Sequence, residues 1–212
     1  MSSLPLFAPL ITILTIVATA VMAVSAAVQG VRQGFDPFGT TVLAIVTAVG
    51  GGTLRDLLIG ASPVFWLQDM TYLATAVPIA LVTFMLGRNL REGGGRRLRL
   101  LLYFDAIGLA LFTLVGLQTA LAAEMSIISA IVLGCITGVA GGMFRDLLCG
   151  LQPSVLKQDL YATISLIGSG LYIVTTHWLS EEVSLAIAFV FMALMRFYVV
   201  YSRAPSDSSL TD

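Results

Sequence analysis

One stretch of this chain is hard to place in lipid, and it occurs twice. Gly51-Gly52-Thr53-Leu54-Arg55-Asp56-Leu57-Leu58-Ile59-Gly60 returns 90 positions later as Gly141-Gly142-Met143-Phe144-Arg145-Asp146-Leu147-Leu148-Cys149-Gly150. Each copy sets two helix-loosening glycines and an adjacent Arg-Asp pair inside an otherwise apolar run. At the centre of a transmembrane helix, an Arg or an Asp costs about 2.5–3.5 kcal/mol on insertion scales. A chain that carries this cost twice has to shelter both pairs inside protein. The likeness reaches past the motif. Residues 43–69 and 133–159 are identical at 13 of 27 positions, including Pro63/Pro153, Gln68/Gln158 and Asp69/Asp159.

Lipid is the expected solvent because the chain is 58% hydrophobic and only 11% charged over 212 residues. Soluble domains run near 45–50% and about 25%. So few charges cannot clothe a water-soluble globule of this size, which predicts an all-α integral membrane protein. No basic face is long enough to track phosphates, so nucleic acid is not an expected partner. Cys135 and Cys149 sit in or at the end of one apolar run, with no disulfide framework or metal-ligand spacing. They read as small core residues, and neither metal nor cofactor is expected. His177, beside Trp178 at a segment end, reads as interfacial. No Ser, His and carboxylate are set to converge, and no HExxH, P-loop or dinucleotide fingerprint appears, so an enzyme is not expected.

Seven apolar segments are predicted, at about 9–31, 38–59, 70–87, 100–122, 126–148, 160–176 and 183–201. The first has no basic residue ahead of it and is too long for a signal-peptide core, so it reads as a retained helix. The third contains Pro78, an expected kink. Asp105 falls near the start of the fourth, where a carboxylate is expected to cap the helix or pair with Arg99. Five of the eleven basic residues (Arg88, Arg91, Arg96, Arg97 and Arg99) lie between the third and fourth segments. The positive-inside rule makes that loop cytoplasmic, where its arginines would also attract anionic lipid headgroups. Alternation then puts Arg32, Lys157 and Arg203 on the same side, with Arg196 on the inner half of the seventh segment, the N-terminus outside and the C-terminus in. Only Arg55 and Arg145 escape this rule.

Three segments per copy is an odd number, so the second copy must enter the membrane from the opposite side. The expected organisation is therefore two inverted repeats, 1–90 and 91–180, a seventh helix over 181–201 and a disordered cytoplasmic tail over 202–212. In such folds, functional sites gather at the repeat interface near the bilayer midplane, on interrupted helices. Two readings of the glycines stand side by side. Gly50, Gly51 and Gly52, with Gly141 and Gly142, can unwind or kink their segments and free carbonyls near Ala48–Gly51 and Gly138–Gly141 to coordinate a cation. The alternative is that they let two backbones approach closely; the duplication favours the kink. Neighbouring side chains on a helix point about 100° apart. Pairing across the two copies, Arg55 with Asp146 or Asp56 with Arg145, or with another segment, is therefore expected rather than each with its own neighbour. Such pairs either line a pore or brace the fold.

The doubled Gly-Gly-x-x-Arg-Asp on the second and fifth of seven segments resembles the prokaryotic trimeric intracellular cation (TRIC) channels, a sequence family also described as a glycine transporter domain. The resemblance covers residues 15–201. It implies a homotrimer in an inner membrane, with one pore per protomer between kinked second and fifth segments, conducting potassium and in some measure sodium. By motif position it makes Gly50, Gly51, Gly52, Arg55, Asp56, Gly141, Gly142, Arg145 and Asp146 the pathway residues, with Thr47, Thr53, Asp105 and Thr137 as further candidates. One departure is Ala140, where the first copy has Gly50, which implies a milder bend there. The competing class is a secondary transporter of a small amino acid such as glycine, its carboxylate held by half-helix N-termini.

Overall fold

A computed structural model describes residues 4–88, 94–157 and 160–202. Among the described residues there are nine helices: α1 (Leu4–Arg32), α2 (Pro37–Ile59), α3 (Phe65–Gln68), α4 (Thr71–Arg88), α5 (Gly94–Ala122), α6 (Ile127–Leu148), α7 (Ser154–Lys157), α8 (Tyr161–Thr175) and α9 (Glu181–Ser202). Five are long and apolar enough to cross a membrane, and α4 and α8 are shorter apolar helices. The side chains of the basic stretch from Arg88 to Arg99, together with Asp159 and the tail from Arg203, lie outside the described residues.

Local chemistry sets the ends of the helices that matter most. Asp36 caps α2 by accepting a 2.6 Å hydrogen bond from the Gly39 amide, and Pro37 follows at the first helical position, where its missing N–H costs nothing. Ser126 does the same for α6 through the Ser129 amide at 3.2 Å. Gly60 and Gly150 leave the two helices with φ of +73° and +67°, a left-handed turn that glycine adopts without strain. The side chain and amide of Thr71 hold the Asp69 carboxyl below the usual carboxylate range and fix the entry into α4. At the far end, α9 takes in Glu181, Glu182 and Ser202, which hydrophobicity alone leaves in the flanking turn and tail. Two carboxylates in a first turn suit the positive end of the helix dipole.

The core is built on small residues. α1 packs on α5 and α2 packs on α6, so each helix meets its counterpart 90 residues away. Ala18, Ala23, Ala26, Ala27, Ala44 and Ala48 fill the α1–α2 side. Gly30 lies so close to Thr40 that a Cβ there would stand 2.9 Å from the threonine hydroxyl. Between α5 and α6 the approach is tighter. A Cβ on Gly134 would sit 2.8 Å from the Thr113 carbonyl oxygen, and one on Gly138 2.9 Å from that of Leu109. Lipid tails are as apolar as leucine, so such contacts hold a bundle together by packing rather than by escape from water. α9 closes the molecule against α5 and α8, with Met192 seated on Gly168.

The glycine-rich stretches do not unwind. α2 is α-helical without a break from Pro37 to Ile59, and α6 from Ile127 to Leu148. The expectation of interrupted helices with freed carbonyls is not met, and the close-approach reading describes these glycines instead. A Cβ on Gly51 would collide with the Thr137 carbonyl oxygen, and one on Gly141 would stand 2.5 Å from that of Thr47. Backbone atoms cannot move aside as a side-chain tip can. Gly51→Ala is therefore expected to lower thermal stability in detergent by an amount corresponding to about 1–3 kcal/mol of overpacking. Gly170→Ala, which meets nothing within 4 Å, is expected to leave it unchanged. Equal melting of the two variants would refute the backbone contact.

Candidate functional site

The α2–α6 crossing places the two motif copies against each other. Thr47 and Thr137 are buried there, and each hydroxyl donates back to its own helix, to Leu43 O at 2.7 Å and Leu133 O at 2.6 Å. Their backbone carbonyls are the ones that Gly141 and Gly51 approach. Flanking this contact, Gly50 packs against the ring of Phe144 and Gly52 against that of Phe65. Gly142 faces different chemistry: a Cβ there would stand 3.1 Å from both Asp105 Oδ1 and the Tyr161 hydroxyl. The second glycine motif thus borders a charged cluster, and the first borders an aromatic ring.

One turn further along α2, Arg55 Nε donates to Asp56 Oδ1 at 2.8 Å, and Nη2 reaches the same oxygen at 2.7 Å. The equivalent bonds in α6 run from Arg145 Nε and Nη2 to Asp146 Oδ1, at 3.0 and 2.8 Å. The expected exchange of partners between copies does not occur, whereas pairing to another segment does occur for Arg145, which reaches Asp105 on α5. The angular argument fails because the long arginine stem carries the planar fork around the helix to its neighbour, and two fork nitrogens converge on one oxygen. The other carboxylate oxygen looks the opposite way. Asp56 Oδ2 accepts from the Phe65 amide at 2.8 Å, and Asp146 Oδ2 from the Ser154 amide and hydroxyl at 2.8 and 2.9 Å. Each aspartate therefore ties its arginine to the first turn of the short helix that follows. The first of these linkers is also pinned by Trp66 Nε1, which donates to Thr53 Oγ1 at 2.9 Å.

Beyond this shared plan the copies diverge. Arg55 has the Phe65 ring 5.4 Å from its guanidinium carbon and donates to Asp56. Arg145 donates in addition to Ser25 Oγ at 2.7 Å and to Asp105 Oδ1 at 2.6 Å. Asp105 Oδ2 accepts from the Tyr161 hydroxyl at 2.6 Å and lies 3.9 Å from Arg196 Nη2. Arg196 in turn stacks over the Tyr161 ring at 4.2 Å. Arg145, Asp105, Tyr161 and Arg196 are each at most 3% exposed. Asp105 is thus not a helix cap. α5 begins at Gly94, which places Asp105 about three turns inside the helix, where a buried carboxylate needs charged partners.

Of the residues expected at the site, Thr47, Gly50, Gly51, Thr137 and Gly141 lie at this crossing, Gly52, Thr53, Asp56 and Asp146 contact the linkers that follow, and Gly142, Arg145 and Asp105 meet in the charged cluster. Tyr161, Arg196, Ser25 and Ser154 were not foreseen as members. Arg196 was the one with a visible sign, a lone cation within an apolar segment, which by default marks a functional or paired position. No His, Cys, Asp or Glu group that could hold a metal occurs among the described residues. Cys135 and Cys149 are free thiols.

An all-helical membrane protein whose two like halves meet through glycines, each with a buried Arg-Asp pair beside the contact, is the class that fold and site define. The chain belongs to the family described as Glycine transporter, whose sequence profile it matches over residues 12–88 and again over 102–177. It is 43% identical over 155 residues, 73% of each chain, to the UPF0126 inner membrane protein YadS of Escherichia coli K12. Against a UPF0126 membrane protein of Vibrio cholerae it is 45% identical over 152 residues, spanning 62% of that protein's length. Among solved structures, the TRIC trimeric intracellular cation channel orthologue from Rhodobacter sphaeroides superposes with a TM-score of 0.85. That match is 31% identical and covers 91% of this chain and 98% of the other.

Two changes of a few atoms probe the cluster against the linker. Tyr161→Phe keeps the ring under Arg196 and removes only the donor to Asp105, a hydrogen bond to a charged group worth about 1.5–3 kcal/mol. Thr53→Val leaves Trp66 Nε1 without its acceptor at a partly exposed position, at a cost of about 1 kcal/mol. Denaturant unfolding in micelles is expected to rank Tyr161→Phe as the more damaging, and the reverse order would contradict the cluster's structural weight.

Proposed function

We propose that this protein is a monovalent cation channel, conducting potassium and to a lesser extent sodium. The observation that carries the reading is the superposition on a TRIC channel orthologue over nine-tenths of the chain. In this reading the protein is a homotrimer of seven-helix protomers, with α1–α4 and α5–α8 as inverted repeats and α9 outside them. It sits in an inner membrane, N-terminus outside and C-terminus in the cytoplasm, with its basic loop against anionic headgroups.

The pathway runs along the α2–α6 crossing in each protomer. Gly50, Gly51, Gly52, Gly141 and Gly142 supply its narrow wall, and Thr47, Thr53 and Thr137 its hydroxyls and carbonyls. Helices in backbone contact leave no room for an ion between them, so conduction requires α2 and α6 to part at the glycines. Parting them would expose carbonyls of the kind that replace a hydration shell in selectivity filters. It would also bring an ion alongside the two Arg-Asp pairs. An arginine beside a cation path is repulsive unless compensated, and both Arg55 and Arg145 are compensated by an immediate carboxylate. Neutral, preformed charge pairs keep the walls rigid without opposing a cation.

The family description favours a second reading, transport of glycine itself. A potassium chloride gradient across a planar bilayer holding the purified protein separates the two. Discrete current steps reversing near the potassium equilibrium potential are expected. A silent bilayer together with saturable uptake of labelled glycine into liposomes would overturn the channel reading. In the conducting protein, Asp56→Asn leaves Arg55 uncompensated and is expected to lower single-channel potassium conductance severalfold while the trimer still assembles. Unchanged conductance would remove the pairs from the permeation mechanism.

A further inference from the structure

α9 has no counterpart in the duplicated stretch, yet it delivers a fully buried cation, Arg196, to the second motif. The reason lies in the charge count. The first copy balances by itself, Arg55 against Asp56. The second has Arg145 against two carboxylates, Asp146 and Asp105. Ninety residues before Asp105 stands Thr15, whose hydroxyl donates to Ile11 O at 2.7 Å. Among the described residues the second cluster therefore holds one buried carboxylate more than the first, and Arg196, 3.9 Å from Asp105 Oδ2, stands against it as counterion. The cluster is not remote from the crossing, because Asp105 Oδ1 would stand 3.1 Å from a Cβ on Gly142.

We propose that Arg196 is a selectivity-determining residue: by cancelling the charge of Asp105 it sets the field that a permeating cation meets along the second half of the pathway. The proposal rests on the channel reading given above. Away from water, one uncompensated charge acts strongly over several ångströms. Removing Arg196 leaves a net negative cluster beside the glycine wall, which binds a passing cation more tightly. Removing Asp105 leaves a net positive one, which repels it. Removing both restores balance. A packing defect would move all three variants in the same direction, whereas charge balance moves the single variants in opposite directions.

The experiment compares full-length trimers carrying Arg196→Met, Asp105→Asn, both changes, or Arg196→Lys. Conductance is recorded in planar bilayers as a function of potassium chloride concentration, and reversal potential in a gradient. For Arg196→Met the half-saturating concentration is expected to fall severalfold, with the reversal potential moving toward that of potassium. For Asp105→Asn both are expected to move the other way. The double variant should return close to the starting protein, and Arg196→Lys should shift less than Arg196→Met. Single variants that shift alike, or a double variant that does not recover, would overturn the proposal. Thermal unfolding of the same proteins in detergent provides a readout that needs no conduction, and here too the double variant should recover part of the loss. Recovery of stability with selectivity unchanged in a conducting protein would overturn the selectivity role and leave Arg196 a structural counterion. A silent starting protein would overturn the channel reading, and the selectivity role with it.

Discussion

The contact on which this structure depends is the approach of two backbones, Gly51 to the Thr137 carbonyl and Gly141 to that of Thr47. It is made twice, by equivalent residues of the two copies, and it fixes both the separation of α2 and α6 and their register along each other. The Arg-Asp pairs then fall one turn past the crossing on each helix, sheltered from lipid. Their second carboxylate oxygens reach the amides of Phe65 and Ser154 and fold the linkers back over the helix ends. An expensive feature of the sequence is thus made affordable by its neighbours. Each buried arginine meets a carboxylate at once, and each carboxylate has its remaining acceptor filled, the condition under which buried ions are tolerated.

The two halves use this plan unequally. The first encloses Arg55 with an aromatic ring and a single carboxylate. The second draws Arg145 into a cluster fed by α1, α5, α8 and α9, through Ser25, Asp105, Tyr161 and Arg196. Duplication explains what the halves share. The difference is a carboxylate on α5, Asp105, together with its counterion on α9, Arg196. Because all four charges are buried, their sum rather than any single member sets the field at the crossing.

Much of this was legible in the sequence. The shortage of charge pointed to lipid, the doubled motif identified the helices that meet, and the order of the long apolar segments matches the order of the long helices. The sequence was ambiguous where one residue type serves two ends. Glycine pairs loosen helices and also permit contact, and only the carbonyl lying opposite Gly51 decides between these. Angular spacing alone pointed away from the neighbouring carboxylates that Arg55 and Arg145 both hold, because their reach exceeds the offset between adjacent side chains. Arg145 also finds the expected partner on another segment, Asp105. Asp105 was assigned to a helix start because hydrophobicity marks where lipid begins, whereas α5 begins several residues earlier at Gly94. Its partners Tyr161 and Arg196 lie 56 and 91 residues away in sequence, and no periodicity connects them. They became visible only once α8 and α9 were packed against α5.

The central claim is that ions pass along the α2–α6 crossing, and cysteine accessibility tests it most directly. With Cys135 and Cys149 replaced by alanine, a cysteine is introduced at Thr47 or Thr137, both buried in this closed packing. A membrane-impermeant cationic thiol reagent is then applied during bilayer recording. The expected result is progressive loss of current in both variants, faster while channels are open, with no effect on the cysteine-free protein. Steady current after prolonged exposure, with both thiols recovered unmodified from conducting trimers, would place the pathway elsewhere in the protein.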